Sequence, residues 1–86
     1  DLMSDVLAFA RPRSLLITAL TNPQAVRTAE MAEAAAICFV RNKQPPEETL
    51  VLARESGIPL LSTKYSTYRC CGVLYTAGLV ACDGNI

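Results

Sequence analysis

Residues 14–40 read SLLITALTNPQAVRTAEMAEAAAICFV, and the order of patterns in this stretch decides the fold. SLLITAL is a short continuous apolar run, as a strand covered on both faces requires. Thr21 and Asn22 interrupt it. Pro23 follows, and its missing backbone donor suits the first position of a helix. PQAVRTAEMAEA then reads as that helix, with Ala25, Ala29 and Ala32 as a small-residue stripe that lets it approach a sheet closely. AAICFV is a second apolar run. Strand, helix and strand in succession predict a crossover unit and parallel pairing.

The same reading extends in both directions. DLMSDVLAFA places Leu2, Met3, Val6, Leu7 and Ala10 on one helical face, with Asp1 as its cap and Arg11-Pro12 as its stop. After the polar RNKQ, PPEETLVLARESG predicts a third helix. Its prolines and two glutamates suit the positive end of the helix dipole, and Gly57 supplies a left-handed stop. IPLLST is a third strand. STYRCCGVLYTAG is a last helix ending at Gly78, and LVACDG reads as a short strand or a tail. The expected fold is α/β: a single domain over residues 1–86, mainly parallel sheet with helices on both faces. A chain that opens at Asp1, and on a helix, is expected to be processed or truncated, with a first strand before Asp1.

At 86 residues, 51% apolar and 19% charged, the chain is rich in apolar side chains for its size. That predicts strands buried on both faces and a partner covering part of the surface. Eight basic and eight acidic side chains cancel. No basic cluster points to nucleic acid or an anionic membrane. No apolar run approaches the roughly 20 residues of a membrane span, and no secretory signal is visible. Cys38, Cys70, Cys71 and Cys82 show no C-x-x-C spacing, and there is no histidine. Neither a metal site nor a cofactor is expected, and unpaired thiols suit a reducing cytoplasm. Cys38 reads as core. Cys70 and Cys71 point about 100° apart on a helix, so core packing is a better reading than a disulfide between them. Tyr65, Tyr68 and Tyr75 read as packing or interface residues rather than as a platform for a base.

In an open parallel sheet, ligands gather beyond the carboxyl ends of the strands, where helix amino ends also point. Three loops meet there. The first offers Thr18, Thr21 and Asn22. The second offers Arg41, Asn42 and Lys43. The third offers Ser62, Thr63, Lys64, Ser66 and Thr67. Hydroxyls, amides and three cations suit a small anionic ligand, such as a nucleotide or a phosphate ester. The same residues also suit helix caps and ordinary solvated loops: Asn22, Ser62, Thr63 and Ser66 are all good N-caps. No catalytic residue is assigned. G-x-x-x-x-G-K-[ST], G-x-G-x-x-G and G-x-S-x-G are all absent, and Asp1, Asp5, Glu47 and Glu48 sit where helix starts explain them.

DLMSDVL, ITALTNPQAVRTA, PPEETLVLARESGIPLLST and STYRCCGVLY, in this order and spacing, resemble the DRTGG domain in its small stand-alone form. The resemblance spans Asp1 to about Leu79. It implies an α/β domain with a parallel sheet, usually self-associating and regulatory. Such domains occur alone, beside CBS domains in regulated pyrophosphatases, and in phosphotransacetylases. A related domain precedes the kinase of the phosphocarrier-protein kinase/phosphorylase, and stand-alone members are labelled serine kinases on that ground. The P-loop that such a label needs is not in this chain. The family's Asp-Arg falls where this chain has Thr21-Asn22, and its Thr-Gly-Gly where this chain reads VRNKQ. The family also usually carries a stretch before DLMSDV. The resulting expectation is a non-catalytic, ligand-sensing homodimer that contacts a protein partner through an apolar helix face. Its rivals are a purely structural dimerisation module and an enzyme of phosphate esters.

Overall fold

A computed structural model describes residues 3–81. The elements are α1 (Met3–Phe9), β1 (Leu15–Thr18), α2 (Pro23–Met31), β2 (Ala36–Phe39), α3 (Glu47–Ser56), β3 (Leu60–Ser62) and α4 (Thr67–Thr76). The three strands form one parallel sheet in the order β1-β2-β3. Leu15 pairs with Ala36, and Ile37 with Leu60. The fold is therefore α/β with strict alternation, as the apolar runs predict.

Side-chain alternation along the strands divides the core in two. On one face, Leu16, Ile37, Phe39 and Leu60 meet Ala25, Val26 and Ala29 of α2 and Leu52 and Ala53 of α3. On the other, Leu15, Ile17, Cys38 and Val40 meet Cys70 and Leu74 of α4. Helices thus cover both faces, but unequally. The strand order advances in one direction, so two crossovers of the same hand place α2 and α3 on the same side. Only α4, which follows the last strand, turns to the other side. α1 lies on the outside with no buried residue; Leu7 and Phe9 are exposed.

The elements are shorter than the sequence patterns suggest, for identifiable reasons. α2 stops at Met31, because Glu33 adopts a left-handed φ of 58° and the Ala34 N–H donates back to the Ala29 carbonyl. α3 closes the same way at Gly57 (φ 72°), with Ile58 N–H donating to Ala53. Leu79 N–H donates to Leu74 after Gly78. These are Schellman closures, and only the first lacks the usual glycine. The strands lose a residue or two at each end to turns. Residues 79–81 have no regular structure, and the rest of LVACDG lies outside the described residues, as do Asp1 and Leu2.

Candidate functional site

Parallel pairing brings the ends of β1, β2 and β3 to one edge, so the three predicted loops do share a rim. Two of them are laced together. Val40, Arg41, Asn42 and Lys43 form a tight turn in which Lys43 N–H donates to the Val40 carbonyl at 3.2 Å. Arg41 and Asn42 both have left-handed φ, 58° and 57°, which marks a type I′ turn. Arg41 N–H donates to Tyr65 and Asn42 N–H to the Thr63 carbonyl, at 2.7 and 2.8 Å. Ser62 Oγ donates to the Lys43 carbonyl at 3.1 Å. The first loop joins through Thr49 Oγ1, which donates to the Thr21 carbonyl at 2.7 Å.

These bonds decide what the hydroxyls do. Thr18 Oγ1 accepts from Leu20 N–H, Thr63 Oγ1 from Tyr65 N–H, and Ser66 Oγ from Arg69 N–H as the N-cap of α4. With Ser62, four of the predicted hydroxyls hold the loops to themselves. Asn22 occupies the N-cap position of α2 without a side-chain cap bond and is exposed. Arg41, Asn42, Lys43 and Lys64 are exposed. Arg69, not singled out by sequence, joins this edge with its guanidinium 4.3 Å from the Tyr65 ring centre. The rim is a polar, cationic edge.

The cleft lies elsewhere, and none of these residues lines it. It has a volume of about 460 Å³ and runs between β1 and α4, floored by Leu15, Ile17 and Leu74. Tyr75, Cys71 and Leu79 form one wall, and Arg11 and Arg13 stand at the end of β1 where the chain enters. Its cause is dimensional. Three strands about 4.8 Å apart need more cover than one helix about 10 Å across provides. α4 sits over β2, where Cys70 meets Cys38 and Val40; it covers Leu15 and Ile17 of β1 only in part, and Leu61 of β3 on the same face is exposed.

α4 itself carries one charge, Arg69, in ten residues. Cys70 faces the sheet and is buried, whereas Tyr68 is 91% and Tyr75 70% exposed. Tyr68, Cys71, Gly72 and Tyr75 fall at helical spacing on the outer side of α4 toward β1, and nothing lies within 4 Å of where a Gly72 side chain would begin. The tyrosines therefore do not pack in the core. Cys70 and Cys71 also part company: Cys70 is buried beside Cys38, and Cys71 is exposed in the cleft wall. The Cys38 thiol is pushed up to about 11, first by burial and then by Cys70. It stays protonated and unreactive at neutral pH.

The signal for this surface was in the sequence: a helix with almost no polar face. Nothing in the sequence specifies which strand it leaves open. No group of three or more His, Cys, Asp or Glu side chains able to hold a metal occurs among the described residues. No helix among them is long and apolar enough to cross a membrane. Comparison with known proteins finds no match to a family model, a curated protein or a solved structure.

Proposed function

We propose that this domain is a non-catalytic interaction module that self-associates through the outer side of α4 and the cleft beside β1. One observation carries the reading. α4 carries a single charge, Arg69, yet its outer stripe has no cover among the described residues. Tyr68 and Tyr75 alone present about 300 Å² of aromatic surface, a large share of the roughly 800 Å² that each partner buries in a standard interface. The regulatory role implied by the resemblance to DRTGG domains fits such a module, with a protein partner's activity following its association state.

Sedimentation equilibrium of the full chain, from micromolar to millimolar, tests this. A dimer is expected, and Tyr68→Ser with Tyr75→Ser should abolish it without lowering stability, because both side chains are exposed. A monomer at every concentration would refute self-association.

A second reading has its own support. Arg41 is a non-glycine residue held in a left-handed turn, at a rim that also carries Lys43, Lys64 and Arg69. Strained loop residues concentrate where a ligand is held. On this reading Thr21, Asn22 and the cations receive a small anion or nucleotide, whose binding shifts the dimer arrangement. Calorimetric titration of adenine nucleotides and phosphorylated metabolites is expected to give heat that Arg41→Ala with Lys43→Ala and Lys64→Ala removes. Silence across the panel defeats this reading alone.

A further inference from the structure

We infer that the self-association proposed above, on which this inference rests, runs through the open edge of β1, paired antiparallel with the β1 edge of a second copy. The open edge has no strand beyond it among the described residues. The carbonyls of Ser14 and Thr18 accept from Ala35 and Val40 on the β2 side. Strand alternation then turns the N–H and C=O of Leu15 and Ile17 outward. β1 reads LLIT, with none of the lysine, proline or bulge that protects solvent-facing edges.

The outward groups select among few registers. In an antiparallel pair, a hydrogen-bonded couple exchanges both bonds, and the couples alternate with non-bonded ones. Of the registers this allows, one pairs both outward residues within the strand: Leu15 opposite the partner's Ile17, with Leu16 opposite the partner's Leu16 on the two-fold axis. The side chains agree. Leu15 and Ile17 both face α4, so each meets its opposite on the same side of the joined sheet, and Leu16 meets its own copy on the α2 side.

A second copy is favoured as occupant on charge and on the match of its apolar surfaces. The charge on this face is confined to Arg11 and Arg13 at one end of the cleft and Arg69 on α4, and a copy brings the same apolar floor and tyrosine stripe. Arg13 is the nearest cation, and in this register the two Arg13 residues stand about 20 Å apart along the strands, beyond the screening distance at physiological salt. Parallel pairing would set like residues side by side and cannot close on a two-fold axis. The joined sheet would have six strands, with both α4 helices on one face and the two clefts opening toward each other across the seam. That joins strand, cleft and tyrosine surfaces in one continuous interface.

Amide hydrogen exchange on the unmodified chain, below and above its association midpoint, tests the inference. The Leu15 and Ile17 amides should exchange fast in the monomer and slow by an order of magnitude or more in the dimer. Those of Leu16 and Thr18, turned to β2, should be slow in both. A dimer in which Leu15 and Ile17 stay fast overturns the edge pairing and leaves the α4 contact standing. A chain that never dimerises overturns both. Leu15→Pro removes one outward donor per copy at the first strand position, where proline is tolerated. It should weaken the dimer by about tenfold or more. If Leu15→Pro does not fold, the exchange pattern of the unmodified chain decides alone.

Discussion

The two faces of the sheet are built from the same strands and yet differ in finish. Beneath α2 and α3, Ala25, Val26, Ala29, Ile37 and Phe39 are all fully buried. Beneath α4, only Cys38, Val40 and Cys70 are buried, and Leu15, Ile17 and Leu74 remain half open. Composition does not cause the difference, since both faces are apolar. Topology does: two same-handed crossovers put two helices on one side, and a single helix cannot span three strands. The packed face holds the fold together, and the open face leaves apolar side chains exposed.

The largest expected effect separates the faces directly. Phe39→Ala opens a void in the packed face and should destabilise by about 3–5 kcal/mol, much of the stability of a domain this size. Leu74→Ala on the open face should lose about 1–2 kcal/mol, because a half-exposed side chain has less burial to lose. Urea unfolding of the two variants measures the ratio. Equal losses would mean that the open face is packed as tightly as the other.

The next effect is confined to the open face. Cys38 titrates near 9.0 when exposed and about 11 in the fold, because burial and the neighbouring Cys70 disfavour the thiolate. A raised acid contributes stability that is complete below the unfolded value. It is lost as pH rises from about 9 to about 11. The contribution is about 2–3 kcal/mol. Urea midpoints at about pH 8, 10 and 11, which bracket this window, compared with Cys38→Ala, isolate it from tyrosine ionisation. A Cys38→Ala profile as steep as that of the unmodified chain would reject the assignment.

Much of this architecture is legible in the sequence because period and punctuation agree. The SLLITAL, AAICFV and IPLLST runs and the Pro23 and Gly57 boundaries each point to a single element type. Cys38 is legible as core for the same reason. What is not legible depends on which face each helix takes. STYRCCGVLYTAG announces a helix, but not that Cys70 would meet Cys38 while Tyr68 and Tyr75 face outward. The rim was placed correctly by strand direction. Its hydroxyls were not separable into ligand groups and loop bonds, since Thr63 and Ser66 serve either use until their donors are known.

A smaller effect sharpens the packed face. Thr28 of α2 is buried, and its hydroxyl has no hydrogen-bond partner among the described residues. An unpaired buried hydroxyl retains its desolvation penalty with nothing to offset it. Thr28→Val keeps the shape and removes the penalty, so stability should rise by about 1 kcal/mol. A fall in the urea midpoint would show that the hydroxyl has a partner after all.

The smallest effect lies at the end of α2. Glu33 holds a left-handed φ of 58°, at the position where α3 places Gly57 in an equivalent closure. A side chain in that conformation is strained by about 1 kcal/mol or more, whereas glycine is not. Glycine also loses more freedom on folding, which returns part of the gain. Glu33→Gly should therefore stabilise by about 0.5 kcal/mol, read as a small upward shift in thermal midpoint. The Glu33 N–H and the Ala34 N–H donate to Glu30 and Ala29 through backbone atoms alone, so the substitution leaves both bonds in place. A destabilised Glu33→Gly would therefore place the carboxylate itself in an interaction that holds the end of α2 against the chain entering β1, where Arg13 N–H donates to the Glu33 carbonyl at 2.7 Å.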